Sequence, residues 1–439
     1  MITEKVVKYA KKLGADDVVA TLVSGETRQI RFANNSVSVL QNWSLNKLNI
    51  FLSVKKRIVR TTLDDISENK VESAIKNLIK ISKQILPKTD YHGIAEGKFK
   101  YQKVKDGFDK KIAGMSEECV DIVEASINKA LEYSKRTAGV LYTNAYDKYT
   151  ETSTGISAQD KMTSIQISIR AFNEKDESGH GVACARVLNK FNPEQAGQKA
   201  GQISNLAKKP VQGTAGKYDV VFDPLSFSDL IGLVGRFSSA FSVDTGFSFL
   251  GDKINKNVAS RQVTLIDNGI IANGFNSSSF DDEGVPSKET KIIDKGVLKT
   301  YLHNTTTAAK YKTKTTASAG LIAPEPKNTI LKPGNITKEK LFSEIKNGIY
   351  ITDVWYTRFQ NYRTGDFSTI PRDGIFVIKN GEITKSIKNV RVSDNLERIL
   401  KNVITISNKP EWIQWWEVTT PVYTPYVLVK DVSITLPTM

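Results

Sequence analysis

Three consecutive carboxylates, Asp281, Asp282 and Glu283, form the densest group of reactive side chains in this chain of 439 residues. Gly284 and Pro286 follow them at once, so the acids belong on a tight connection and not inside a strand or helix. Carboxylates gathered this way could hold a hard cation or share a proton, but the run lacks the ligand spacing of a calcium loop, and it reads equally as a solvated turn. Other chemistry is thinly supplied. The histidines, His92, His180 and His303, lie far apart, without the short spacings of zinc sites, and each reads as a surface or turn residue. Ser-His-Asp catalysis would need a serine on a sharp strand-to-helix turn near one of them, and no Gly-x-Ser-x-Gly occurs. Cys119 and Cys184 are too few for a cysteine cluster or a disulfide framework. The stretch GTAGK, ending at Lys217, is not a phosphate loop, since its spacing is wrong and Tyr218 follows the lysine.

The order of residues around the acids is more telling. FDDEGVPS runs into an alternating segment, 288–293, then an Asp-Lys-Gly turn at 294–296 and a second alternating segment, 297–302, which together read as a β-hairpin. With NYRTGDFS at 361–368, GIFVIKNGEI at 374–383 and SDNLERILKNV at 393–403, this pattern resembles the TldD/PmbA family, and the resemblance runs from Lys217 nearly to Met439. It implies one subunit of a cytoplasmic metallopeptidase pair, in which one chain carries zinc and the other, of the PmbA or TldE type, does not. In the catalytic subunits the helix matching 225–241 carries His-Glu-x-x-x-His, because zinc needs imidazole and carboxylate ligands on a rigid element and a glutamate to take the proton from its water. Here that segment reads LSFSDLIGLVGRFSSAF. An ungapped overlay puts Ile231 and Arg236 at the histidine positions and Gly232 at the glutamate, and no cysteine follows Cys184. The resemblance therefore implies a PmbA/TldE-like chain with no catalytic residue, metal or cofactor of its own. Its partner would be a zinc-bearing TldD-like subunit, or a second copy, and together they would enclose small unfolded peptides. The residues expected to shape the peptide-facing side are Asp281, Asp282, Glu283, Gly284, Tyr362, Thr364, Gly365, Asp366 and Phe367. Relatives are also called modulators of DNA gyrase, and a non-enzymatic, nucleic-acid-associated binding protein is the alternative reading.

The elements that must position these residues follow from periodicity. Short strands at 18–23, 27–33, 36–42, 47–54 and 57–63 form an antiparallel meander, and strands resume at 139–145, 149–158, 162–173 and 180–187. Helical spacing of apolar residues at 71–81, 119–133 and 193–206 supplies covering helices, and 86–114, rich in Lys, Gly and Asp, reads as an extended and flexible surface segment. KKPVQGTAGK marks a boundary, giving two domains, 1–212 and 213–439. The second opens with a strand, then a helix from Asp223 and Pro224 in the cap and first positions, and continues mostly as strands, with an Asn-Gly hairpin at 380–381. The expected class is α+β: an N-terminal antiparallel sheet with covering helices, then a β-rich, curved-sheet or barrel-like domain. Aromatics at Trp355, Tyr356, Phe359, Tyr362 and Phe367 could line a peptide cleft or pack a core, and Trp412, Trp415 and Trp416 suit an interface. A net charge of +15 invites nucleic acid, but the lysines are dispersed and no nucleic-acid motif accompanies them, so specific binding is not expected. No apolar run nears the ~20 residues of a membrane span, and the amphipathic N-terminus is not a signal peptide, which places the chain in the cytoplasm.

Overall fold

The computed structural model describes residues 1–437; the last two residues of the second domain, as delimited above, lie outside the described residues. Elements are numbered in chain order. The first sheet contains β1 (Asp17–Ala33), β2 (Ser36–Val54), β3 (Arg57–Leu63), β4 (Arg136–Thr152), β5 (Ser157–Phe172) and β6 (Ser178–Ala185), in the order β3-β2-β1-β4-β5-β6 and antiparallel throughout. Its first two strands are longer than sequence suggested, since 24–26 and 44–46 are not turns but pair with one another, and Trp43 pairs with Thr27. Gly25 allows this, because a Cβ there would lie 1.9 Å from the carbonyl oxygen of Ala145 on β4; the glycine marks a close backbone approach and not a chain reversal.

Helices α1 (Ile2–Lys12) and α2 (Glu68–Ser82) cover one end of this sheet, burying Val6, Ala10, Val71 and Ile75 against Val18, Leu48 and Ile50. After the short α3 (Lys110–Ala113), α4 (Glu118–Leu131) and α5 (Pro193–Leu206) cover the other end over Ile165, Ile167 and Ile169. Each aliphatic side chain removed from water this way contributes about 1.5–3 kcal/mol, and the alternation of β5 puts its polar residues on the opposite face. The segment 86–114 is not a free loop: Tyr91, Ile94, Ala95 and Ile112 are buried.

Five strands of the second half close into a barrel. Here β8 (Gly216–Phe222), β13 (Asn347–Asn361), β14 (Asp366–Lys379), β16 (Arg391–Asn395) and β20 (Val427–Thr435) pair in the ring β13-β8-β20-β16-β14, and β14 returns to β13. Two strands, β15 (Glu382–Lys388) and β7 (Val211–Gln212), extend it from β14, and β17 (Val403–Ile406) pairs with β20. A third sheet, in the order β11-β10-β9-β12-β19-β18, is built from β9 (Leu265–Asn268), β10 (Glu289–Asp294), β11 (Val297–Leu298), β12 (Thr329–Leu331), β18 (Glu411–Ile413) and β19 (Val422–Thr424). Lys295 and Gly296, like Asn380 and Gly381, have positive φ at both turn positions, as two-residue hairpins require. Helix α6 (Pro224–Phe237) packs on β13, β12 and β19, between barrel and third sheet. Shorter helices, α7 (Ala240–Asp244), α8 (Thr305–Lys310), α9 (Lys338–Ser343) and α10 (Leu396–Lys401), fill the connections. The chain is thus α+β, as expected. Among the described residues no helix is long and apolar enough to cross a membrane.

Candidate functional site

The acidic run is not a solvated bend. Asp281 is 0% and Glu283 2% exposed, and the loop holds itself together. Asp281 Oδ1 accepts from the amides of Glu283 (3.0 Å) and Val285 (2.9 Å), and its Oδ2 accepts from Ala319 N at 3.1 Å. Burial pushes the Asp281 carboxyl up to about 6, against the pull of Lys327 and these amides. Asp282, half open to solvent, is answered by charge: Lys148 donates at 3.0 Å and Lys327 lies 4.0 Å away. Burial opposes its ionisation, but the two ammonium groups outweigh it and hold it down at about 2. Glu283 goes the other way, since burial and the neighbouring Asp281 raise it to about 8 despite donation from Thr305 N (3.2 Å) and Thr305 Oγ1. The three like charges are thereby resolved into one carboxylate with cations, one amide-bound carboxyl and one carboxyl that keeps its proton at neutral pH. Gly284 has φ +79°, and a Cβ on it would meet Ile156 at 2.6 Å. Its carbonyl accepts from the Tyr101 hydroxyl at 2.8 Å, so the supposedly free segment 86–114 clasps this loop.

What the loop positions is a second segment. Asp282 N donates back to Ala319 O at 3.0 Å, and the chain from Ala319 turns tightly, with Gly320 N on Ala323 O (3.0 Å) and Glu325 N on Ser318 O (2.8 Å). Ala323, Pro324, Glu325 and Pro326 then form one wall of an open cleft of about 740 Å³. Leu233, Arg236 and Phe237 of α6 line it, along with Thr357, Phe359 and Tyr362 from the β13–β14 hairpin. Tyr362 stacks on Phe359 (5.2 Å between ring centres) and meets Phe247 edge-on at 5.2 Å, which makes this wall aromatic and half exposed. Ser239, Ser242, Arg358, Thr419 and Thr420 complete the lining, so the cleft joins aromatic surface to cations and hydroxyls.

Helix α6 is held at its start by Asp223, which is fully buried. Its Oδ1 accepts from Leu225 N (3.0 Å) and Lys199 Nζ (2.8 Å), and its Oδ2 from the Tyr350 hydroxyl (2.7 Å). Burial opposes the charge on Asp223, yet Lys199 keeps it below the ordinary range. Along α6, Ile231 is 0% exposed in the core, Gly232 has no side chain and Arg236 brings a cation to the cleft. These residues do not fit zinc, which needs neutral or anionic donors at those places. Asp229, on the same helix, is buried and accepts from Thr357 Oγ1. Burial, with smaller help from Glu417 and Asp353, lifts it to about 7.

The sequence placed the histidines outside the fold's interior, and the structure corrects this for two of them. His303 is 2% exposed, and burial lowers it to about 4. His180 is 1% exposed and joins the two halves, with Nε2 2.8 Å from Ser168 Oγ and Nδ1 2.8 Å from Asp353 Oδ2. Asp373 lies beside them, so that one ligand atom from each of His180, Asp353 and Asp373 falls within 4.8 Å of the others. Trp355 Nε1 also donates to Asp353 Oδ2 and Val354 N to Asp353 Oδ1. Although Ser168, His180 and Asp353 are in line, Ser168 sits mid-strand between β4 and β6. The surrounding amides are engaged in the ladder, leaving none to stabilise an oxyanion. The relay ties the halves together. Missed entirely was Arg186, 1% exposed, whose guanidinium donates to the carbonyls of Thr163, Gly107, Gly274 and Ser277; an isolated arginine at a strand end gave no signal.

The expected site residues therefore divide. Asp281, Asp282, Glu283 and Gly284 form the loop that anchors the wall, and Tyr362 lines the cleft. Thr364, Gly365 and Asp366 form the tip of the β13–β14 hairpin, where Asp366 accepts from Thr364 Oγ1 (2.5 Å) and Asn395 Nδ2 (2.9 Å). Phe367 is 1% exposed in the barrel core. Of the other aromatics, Trp415 is buried against His180 (4.7 Å), Trp412 stacks on Tyr423 (4.8 Å) and Trp416 is 57% exposed.

Comparison with known proteins bears on the same region. The family model described as "PmbA/TldA metallopeptidase C-terminal domain" matches residues 215–436. A protein named metalloprotease from Methanothermobacter thermautotrophicus is 31% identical over 241 residues, 51% of this chain and 50% of its own, so the chain spans about half the length of the curated relatives it matches. A crystal structure described as a modulator of a DNA gyrase from Thermotoga maritima superposes with a TM-score of 0.87 at 22% identity, covering 99% of both chains. TldE from Thermococcus kodakarensis gives a TM-score of 0.87 at 18% identity, covering 99% of this chain and 100% of its own. At these identities the two structures are similar in fold.

Proposed function

Since the chain belongs to the PmbA/TldD metallopeptidase family, we propose that it is a PmbA/TldE-like subunit that binds small unfolded peptides and holds them for cleavage by a zinc-bearing, TldD-like partner in the cytoplasm. One observation carries the proposal. The helix that would bear the metal offers Ile231, Gly232 and Arg236 in place of ligands and base, yet it still lines a cleft of about 740 Å³ with an aromatic wall. A surface that can take an extended chain but lacks hydrolytic groups supports binding without chemistry. The acid loop serves this reading through Ala319, by fixing the wall from Ala323 to Pro326.

The test is metal analysis and reconstitution. Purified alone, the chain should hold no stoichiometric zinc and cleave no peptide; with a TldD-like subunit added, chelator-sensitive hydrolysis should appear. One tightly bound zinc per chain would overturn the subunit assignment. DNA binding that weakens steeply with salt, without affinity for a TldD-like protein, would favour the gyrase-modulator reading instead.

A further inference from the structure

A small pocket opens beside the cleft, on the face of α6 that carries Asp229, Gly232 and Arg236, whose helical spacing stacks them one above another. It holds about 20 Å³ and shares Arg236, Thr419 and Thr420 with the cleft, so an occupant of one lies against an occupant of the other. Two carboxyl groups line it. Asp229 is 6% exposed; Thr357 Oγ1 donates to its Oδ2, and among the described residues nothing donates to its Oδ1. Glu417 accepts from Tyr356 N at 3.0 Å through Oε1, and its Oε2 likewise has no donor. The Arg236 guanidinium does not answer them: it lies 3.5 Å from Thr419 Oγ1 and forms no ion pair with either carboxyl. Acceptors this far removed from water and left without a donor are costly.

We propose that this pocket receives a primary ammonium group of a peptide lying in the cleft, with Asp229 and Glu417 as its counter-ions. The inference rests on the reading of the cleft as a peptide surface and names the group by which the peptide is held. Size selects the ligand. One water-sized group needs about 10–15 Å³, so a pocket of about 20 Å³ admits a single ammonium. Magnesium keeps several waters and calcium takes about six to eight oxygens, and neither set fits beside the two carboxyls; a guanidinium is a broad planar fork. Charge selects it too. The two oxygens without donors and the hydroxyls of Thr419 and Thr420 are acceptors, and an ammonium brings three donors and no acceptor. Burial, with Glu417 adding to it, raises Asp229 to about 7, and a cation beside both groups offsets that repulsion. A water molecule would fill the same space and leave the charges unanswered. The amino terminus of the peptide and a lysine side chain share this chemistry, and the experiment separates them.

The test is titration calorimetry on the full chain with three peptides: a lysine-free sequence with a free amino terminus, its N-acetylated form, and the acetylated form carrying one lysine. Acetylation should weaken binding on the order of 10- to 100-fold, as the loss of charged hydrogen bonds does. Affinity regained by the lysine peptide assigns the pocket to a side chain as well, and affinity not regained assigns it to the amino terminus alone. Methylammonium should compete with the free-amino peptide and leave the acetylated one untouched, whereas tetramethylammonium, which has no N–H, should do neither. Asp229→Asn, which keeps an acceptor for Thr357, and Glu417→Gln, at a half-buried position, should each bring the free and acetylated peptides to nearly equal affinity. Tyr362→Ala should weaken both peptides alike, since it alters the aromatic wall and not the pocket. Equal affinity of the wild-type chain for both peptides, as a pocket holding only water would give, overturns the proposal and leaves the cleft reading intact. A preference for the free form that survives both carboxyl variants also overturns it. Binding of no peptide, or binding indifferent to Tyr362→Ala, defeats the cleft reading and this proposal with it.

Discussion

Glu283 is the residue whose protonation most directly reports the acid loop. Its ordinary value is 4.5 and its folded value about 8, through burial first and Asp281 second. Because the folded state holds the proton more tightly, this stabilisation is fully present below 4.5 and is lost as pH rises through about 8. Asp281, raised to about 6, adds to the loss over a lower window. Asp229, raised to about 7, adds to it as well. Urea unfolding should therefore show stability falling by several kcal/mol, on the order of 5 or more, between about pH 5 and about pH 8, and Glu283→Gln, which cannot ionise, should remove the part of that slope that persists between about pH 7 and about pH 8. Asp282 has the opposite sign: held down at about 2, it supports the fold above its ordinary 3.8 and loses that support as pH falls towards 2. Its side chain is partly solvated, so the effect is small, and its importance is positional. In the reconstituted pair, Asp282→Asn should weaken peptide binding a few-fold by loosening Ala319 and the wall beyond it, with turnover of bound peptide nearly unchanged. A turnover loss on the order of 100-fold at unchanged affinity would make Asp282 an acid/base catalyst and defeat this assignment.

Among the elements, the helices whose ends are set locally were legible and those set from a distance were not. Asn192 caps α5 through Gln195 N with Pro193 at the first position, and the segment 193–206 is helical as read. The segment 225–241 was read as one helix but divides at Ser238 and Ser239. Leu302 intervenes there: its amide donates to Ser238 O (2.7 Å) and its carbonyl accepts from Ala240 N (3.0 Å), a contact between residues too far apart for periodicity to reveal. The orientation of α6 carries its own prediction. Installing His-Glu-x-x-x-His as Ile231→His, Gly232→Glu and Arg236→His should not yield a stoichiometric zinc site, because position 231 points into the core and a Cβ at 232 already lies 3.0 Å from Val422. Measured zinc content near one per chain in the triple variant would show that the ligand geometry is latent after all, while unfolding would merely confirm that a histidine and a glutamate do not fit; purified, folded and zinc-free protein is the expected result.

At the scale of the molecule, the candidate site depends on contacts between distant segments, and this is why the sequence showed its parts and not its assembly. His180 reads as a strand-start residue until Asp353 is brought to it, and 86–114 reads as a loose linker until Tyr101 reaches Gly284. Arg186 is the extreme case. Its one guanidinium satisfies carbonyls at positions 107, 163, 274 and 277, which joins the clasping segment, the first sheet and the chain leading into the acid loop. Burial lowers it only to about 10, so it remains charged at neutral pH and its N–H groups stay available. Removing it in Arg186→Leu would leave buried carbonyls without donors, at about 1–3 kcal/mol for each that water cannot reach. Arg186→Lys should fare little better, since a point ammonium cannot span what a planar fork with five donors spans. Both variants should lose on the order of 3–5 kcal/mol in urea unfolding. Limited proteolysis should cut the stretch 97–108 first, because Gly107 loses its anchor there, and peptide affinity of the reconstituted complex should fall as the wall loosens. A lysine variant of wild-type stability would mean that the carbonyls are reached by water and that Arg186 does not hold the three segments together.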